Sequence, residues 1–292
     1  NALYQFRSIA TDTSGNVETV ALNDTWTIID TERPWSFVNT LAPWQTALTF
    51  LVQWSPESDD VASYRIQVRD NGAPWTDWIP FTTARSANYT GVDDHTYEYR
   101  AIATDWAGNV QTPNPNNDTW TRVDVTPPDS RVSSLPAWET TLTFGLSWSP
   151  VSPTVDIVSY TLEASDGGGP WSPVAGYVDT TLTSGTFTGL DGHSYGFRTL
   201  AKDRAGNVEV ASPGNDTWTT VDVSPPTTTA SPTGTMGGVQ WYVGAVTVTL
   251  SATDATSGVA SIMVRVDNGT WQAYTSPVVV AGDGNHAVAF HA

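Results

Sequence analysis

The sequence predicts an all-β chain of tandem β-sandwiches strung like beads on a string, and three observations predict it. A set of motifs returns every 93 to 98 residues. Within each unit apolar and polar residues alternate with period two, which sends one set of side chains to a core and the other to water. Turn residues and Pro pairs separate these runs, and no helical period competes with them.

The repeat is carried by three blocks. Tyr4-Gln-Phe-Arg-Ser-Ile-Ala-Thr-Asp12, Tyr97-Glu-Tyr-Arg-Ala-Ile-Ala-Thr-Asp105 and Tyr195-Gly-Phe-Arg-Thr-Leu-Ala-Lys-Asp203 each run into a Gly-Asn-Val turn. Asn-Asp-Thr-Trp begins at Asn23, Asn117 and Asn215. Trp44 to Trp54 matches Trp138 to Trp148, each ending in Trp-Ser-Pro. Independent blocks that agree on one period establish internal repetition before any fold is assigned.

The strands follow in order. Leu48, Phe50, Val52 and Trp54, and one repeat later Leu142, Phe144, Leu146 and Trp148, are expected to point inward. Tyr64, Ile66 and Val68 form the next inward set, and Tyr97, Tyr99, Ala101 and Ala103 another, with Glu98, Arg100, Ile102 and Thr104 outward. Asp70-Asn71-Gly72, Asp166-Gly167-Gly168, Asp191-Gly192 and Ala107-Gly108-Asn109 supply turn chemistry. Pro127-Pro128 and Pro225-Pro226 close successive units, because proline fixes φ and lacks the N–H a strand needs. The expected divisions are residues 1–30 (the last strands of a truncated repeat), 31–126, 127–223, and 224–292 (a repeat truncated at its C-terminal end). On this reading the chain is a window on something longer.

Composition narrows the function. The chain has 292 residues, of which 14% are charged, against about 25% in an average soluble domain. A net charge of −18 repels phosphate backbones, so no nucleic-acid partner is expected. There is no Cys, which removes disulfides, Cys-based zinc sites and thiol nucleophiles. No apolar run reaches the 18 residues of a membrane span, so no direct membrane insertion is expected in this region.

The aromatic strands, the Pro-Pro linkers and the Tyr-x-Phe/Tyr-Arg-x-x-Ala block resemble the fibronectin type III-like repeats of bacterial and archaeal surface proteins. The resemblance implies that Trp54 and Trp148 are core tryptophans and that Tyr97 and Tyr195 are corner tyrosines. The last segment, with Trp241-Tyr242, Val246 to Asp254 and Ser257-Gly258-Val259, resembles a different, Ig-like prokaryotic repeat. These resemblances imply fold, and function only weakly, because such sandwiches host many roles.

Each candidate site has a plainer reading beside it. Asn23, Asn88, Asn117, Asn215 and Asn268 head N-glycosylation sequons, and three of them hold one repeat position. The plainer reading of Asn-Asp-Thr-Trp is a good start for a strand. Asp12, Asp105 and Asp203 precede Gly-Asn and read as turn-shaping acceptors, because one carboxylate per loop falls short of a calcium shell of six to eight oxygens. Glu57, Asp59 and Asp60, with Asp93 and Asp94, are denser acidic spots that do not return in the next repeat, where Val151 to Thr154 replaces the first. Trp75, Trp78 and Trp171 follow turn glycines, and Trp26, Trp120 and Trp218 sit beside the sequons, where an exposed line could stack on glycans. His95, His193 and His286 precede the same strand and read as structural.

No catalytic, cofactor-binding or metal residue is expected, and the chain is read as no enzyme. No cofactor is expected beyond N-linked glycans, with calcium the alternative at the acidic spots. The expected function is a structural, extracellular repeat region of a large glycosylated cell-surface protein: a stalk, sheath, S-layer or filament component. The alternative is an adhesin, or a carbohydrate- or protein-binding accessory region of a secreted enzyme. The expected partners are other copies, other cell-surface proteins and glycans.

Overall fold

The computed structural model describes residues 2–19, 22–151 and 156–292. It divides into two compact units, Asn1–Pro127 with Asp203–Asn207, and Pro128–Lys202 with Val208–Ala292. Every regular element among the described residues is a strand. Ser152–Thr154, part of the stretch expected to replace the first acidic spot, lies outside the described residues.

The first unit begins with a hairpin of β1 (Ala2–Phe6) and β2 (Thr25–Ile29), exposed on both faces. A sandwich follows, built from β3 (Ser36–Val38), β4 (Trp44–Gln45), β5 (Thr49–Pro56), β6 (Val61–Asp70), β7 (Thr76–Thr82), β8 (Ser86–Thr90), β9 (Thr96–Asp105) and β10 (Thr119–Val123). One sheet runs β3-β5-β8 and the other β4-β10-β9-β6-β7. Three strands packed on a larger sheet, antiparallel except for its β4–β10 pair, is the fibronectin type III-like, Ig-like sandwich layout. Asn71 at φ 48° and Gly72 at φ 73° give the left-handed pair that lets β6 turn tightly into β7.

The inward phase of β5, β6 and β9 forms the core. Trp54 is 1% exposed and packs with Tyr64, Ile66, Val68, Tyr97 and Tyr99. The Trp54 indole donates to the Ala84 carbonyl at 2.9 Å, and the Trp78 ring meets it edge-on at 6.3 Å. Two expectations fail. Leu48 and Leu142 are exposed, because β5 and its counterpart begin one residue later and these leucines belong to the preceding turn. Ile102 has the outward phase yet is 1% exposed, so its side of β9 is covered. On that side Arg100 donates to the Asn114 carbonyl at 2.7 Å, which ties the Thr112–Asn117 segment to the sheet.

The second unit repeats the layout with β11 (Ser130–Val132), β12 (Trp138–Glu139), β13 (Thr143–Pro150), β14 (Ile157–Asp166), β15 (Ser172–Pro173), β16 (Ser184–Thr188), β17 (Ser194–Asp203) and β18 (Thr217–Val221). The sheets are β11-β13-β16 and β12-β18-β17-β14-β15. Trp148, 2% exposed, again occupies the centre of the core. Its cover differs: β15 has only two residues, and Tyr177 packs edge-on at 5.6 Å in the role of Trp78. Tyr177 reaches this place because Gly185 has no side chain. A Cβ there would stand 2.3 Å from the Tyr177 ring.

The same unit continues into β19 (Thr227–Thr233), β20 (Met236–Gly238), β21 (Trp241–Tyr242), β22 (Val246–Thr253), β23 (Met263–Val266), β24 (Gln272–Ala273), β25 (Val278–Val280) and β26 (Val288–His291). Sheets β19-β22-β25 and β24-β23-β26 enclose a smaller core of Val248, Leu250 and Val264, with Phe290 and Val288 partly buried against it.

Candidate functional site

The residues shared by the repeats are occupied in holding the sandwich. Tyr97 Oη accepts the Val92 N–H at 2.9 Å, and Tyr195 Oη accepts the Leu190 N–H at 3.0 Å, which is the tyrosine corner. In the Asn-Asp-Thr-Trp block it is Asp and Thr that work. Asp118 Oδ2 accepts N–H groups from Val38 and Ala101, one on each sheet, and Asp216 Oδ2 does the same for Val132 and Thr199. The buried Thr119 hydroxyl accepts the Leu41 N–H, and Thr217 that of Leu135.

Gln111 and Glu209, read from sequence only as part of the turn block, fold back onto the same seam. Gln111 Oε1 accepts from the Ser36 hydroxyl and the Ala103 N–H, while its Nε2 donates to the Ser36 carbonyl. Glu209 accepts from the Ser130 hydroxyl and the Ala201 N–H, but an ionised carboxylate has no proton to return. Burial pushes the Glu209 carboxyl above its ordinary pKa, against those hydrogen bonds.

The Gly-Asn turn aspartates shape their turns. Asp105 accepts the Asn109 N–H at 2.8 Å and the Asn109 side-chain amide at 2.9 Å, and Asp12 and Asp203 make the same pair of bonds to Asn16 and Asn207. Although burial opposes its charge, the bonds from Asn109, Gly108 and Ala107 hold the Asp105 carboxyl below the usual range.

Sequence reasoning treated the acidic loops separately, but the fold gathers them. One oxygen each from Asp30, Asp60 and Asp105 lies within 4.8 Å of the others. Asn109 Nδ2 donates to both Asp105 Oδ2 and the Asp30 carbonyl, so the cluster contains its own donor. One acidic position does return, contrary to expectation: Asp93 has its counterpart in Asp191, although Gly192 stands where Asp94 did. Asp93 accepts from the Val125 N–H and the Thr126 hydroxyl, and Asp191 accepts from Val223 and Ser224 in the same way. Both fasten the segment that leaves their sandwich.

The histidines share one arrangement. His95, His193 and His286 each pair through Nδ1 with an aspartate of a neighbouring turn, Asp70, Asp166 and Asp267, at 2.8 to 3.0 Å. Among the described residues none of these rings bonds a hydroxyl.

Of the remaining candidate tryptophans, Trp26, Trp120 and Trp218 are 63%, 46% and 52% exposed. Trp75 lies under the guanidinium groups of Arg69 and Arg100, and Trp171 under that of Arg198 at 4.3 Å. Trp78, expected near the surface, is partly buried against the core. Of the sequon asparagines, Asn23, Asn88, Asn215 and Asn268 are exposed, whereas the half-buried Asn117 spends its amide on Glu98 at 2.6 Å.

No protein-family model matches the chain. It is 32% identical over 180 residues to Exoglucanase B of Cellulomonas fimi, a stretch that makes up 57% of this chain and 15% of that protein. Similar solved structures include a segment of two fibronectin type III domains from chicken tenascin, at 17% identity and TM-score 0.29, covering 61% of this chain and 95% of that one. A marsupial T cell receptor is similar at 9% identity and TM-score 0.45, covering 89% and 99%.

Proposed function

We propose that this chain is an extracellular, non-catalytic repeat region that acts as a spacer within a large glycosylated cell-surface protein, in a stalk, sheath, S-layer or filament. One observation carries the reading: the side chains the repeats share are spent on the sandwich itself. Asp118 and Asp216, Tyr97 and Tyr195, and Gln111 and Glu209 close seams between strands. A unit whose repeated seam and corner residues are scaffold serves by the distance it sets.

The five sequon asparagines, Asn23, Asn88, Asn117, Asn215 and Asn268, are the attachment points in this reading. At Asn117 and Asn215 the Thr hydroxyl that a transferase must engage is buried against Leu41 and Leu135, so attachment there precedes folding. The likeness to Exoglucanase B favours a second reading, an accessory region of a secreted enzyme. Both readings place the chain outside the cell, with other copies, surface proteins or glycans as partners.

An antibody against residues 31–223, applied to unbroken producing cells and to their medium, tests this. Surface label that survives washing supports the stalk. Antigen in the medium, joined to a hydrolytic domain, supports the accessory region. Signal only after lysis overturns both.

A further inference from the structure

We propose that the outer face of the second sandwich carries a binding groove for a neutral pyranose unit of a free or polymeric saccharide. The groove, about 360 Å³, lies over β17 and β18 and is walled by Trp171, Trp218 and Asn215, with Gly196 as its floor. That volume falls at the small end of the roughly 300–1,000 Å³ typical of ligand sites.

Gly196 makes the groove. It stands opposite Trp218 in the strand register, and a Cβ on it would lie 3.3 Å from Asn215 and 3.5 Å from Trp171. In the first sandwich the same place is plugged. Glu98 stands opposite Trp120, and its carboxylate accepts from the Arg69 guanidinium and from Asn117 Nδ2. Replacing that ion pair with glycine leaves Trp171, Trp218 and Asn215 around a floor with no side chain of its own.

The walls specify the ligand. No charged side chain lines the groove, although the whole chain carries a net charge of −18. Trp171 is fixed in place by Arg198, which is itself held by Glu163 at 2.7 Å and by the Ser212 carbonyl at 2.6 Å. Trp218 is half in water. An indole face is electron-rich and attracts the polarised C–H groups of a sugar ring. The Asn215 carboxamide offers both donor and acceptor to ring hydroxyls. A pyranose with equatorial hydroxyls presents the flattest C–H face to such walls, so a gluco-configured ring fits better than one with axial groups. The buried Thr217 hydroxyl keeps the Asn215 sequon from being an acceptor once the domain has folded, so a chain folded without that glycan keeps the groove open to a free sugar.

The test uses the full chain made without glycosylation, titrated with cellotetraose while the indole N–H signals of Trp171 and Trp218 are followed by NMR. Saturable shifts of both are expected. Trp218→Ala and Gly196→Glu, the latter restoring the plug, should each weaken binding about tenfold. Trp120→Ala should leave it unchanged, and thermal melting establishes that each variant is folded. Absence of shifts overturns the proposal. So do shifts that survive both variants, or equal binding of tetragalacturonic acid. In protein from producing cells, a glycan on Asn215 that moves the Trp218 signal and blocks cellotetraose would also overturn it, making the groove a bed for the chain's own sugar.

Discussion

The first and second sandwiches are two solutions to one packing problem. Both bury a tryptophan at the centre of the same two sheets. In the first, a seven-residue β7 brings Trp78 across the core beside Ala87. In the second, β15 shrinks to two residues and Tyr177 arrives from a loop, over Gly185. Trp54 gives its indole proton to Ala84, whereas the Trp148 indole has no hydrogen-bond partner among the described residues. The comparison teaches that the scaffold fixes a volume to be filled and leaves open which element fills it. The outer face is freer still, since Glu98 and Gly196 occupy one position with opposite consequences.

The largest effect probes what the sandwiches share. Trp54→Ala and Trp148→Ala should each cost about 3–5 kcal/mol, read as denaturant unfolding of the affected sandwich. A loss confined to one of them would break the equivalence. Gly185→Ala comes next, at about 1–3 kcal/mol of overpacking against Tyr177, whereas the first sandwich already has alanine at that place. A neutral result in calorimetry would mean Tyr177 is not held where it lies.

Glu209→Gln sharpens the comparison from the other side. Glutamine can donate to Ser130 as Gln111 does to Ser36, so a gain of about 1 kcal/mol is expected near neutral pH. Because the folded Glu209 pKa is raised, its ionisation works against folding. Stability of the second sandwich should therefore fall as pH rises through the unfolded and then the folded value, and the variant should lose that slope. An unchanged slope in pH-dependent melting would assign the effect elsewhere. The smallest effect concerns His286, whose bond to Asp267 raises its pKa against the opposing influence of burial. Its contribution is full below the ordinary histidine value and is lost as pH rises through the raised one. Proton NMR should show His286 titrating above a histidine in a short peptide, and Asp267→Asn should bring it down.

The strands and their inward phase were legible in the sequence because period two has a single physical reading when one face is buried. The corner tyrosines were legible through resemblance. The phase failed at Leu48 and Leu142, where alternation ran one residue past the strand, and at Ile102, an outward position that the fold nonetheless buries. Gathering Asp30, Asp60 and Asp105 needs three loops to meet, and spacing along the chain does not encode that. Gln111 and Glu209 left a usable signal: the Gly-Asn-Val turn is always followed by Glu or Gln, a long acceptor next to a strand amide. The groove was least legible, since Gly196 looks like an ordinary interruption of an outward row until Glu98 is set beside it.

The pairing of β4 with β10 is parallel, Arg122 opposite Trp44 and Val123 opposite Gln45. These are an early and the last strand of the sandwich. Tension applied through the two linkers would draw such strands past each other lengthwise. The bonds between them are then loaded together in shear, where an antiparallel terminal pair would open one bond at a time like a zipper. Asp118 adds a separate tie by gripping Val38 of β3 and Ala101 of β9 across the two sheets. A sandwich closed in this way resists stretching more than its thermal stability alone would suggest.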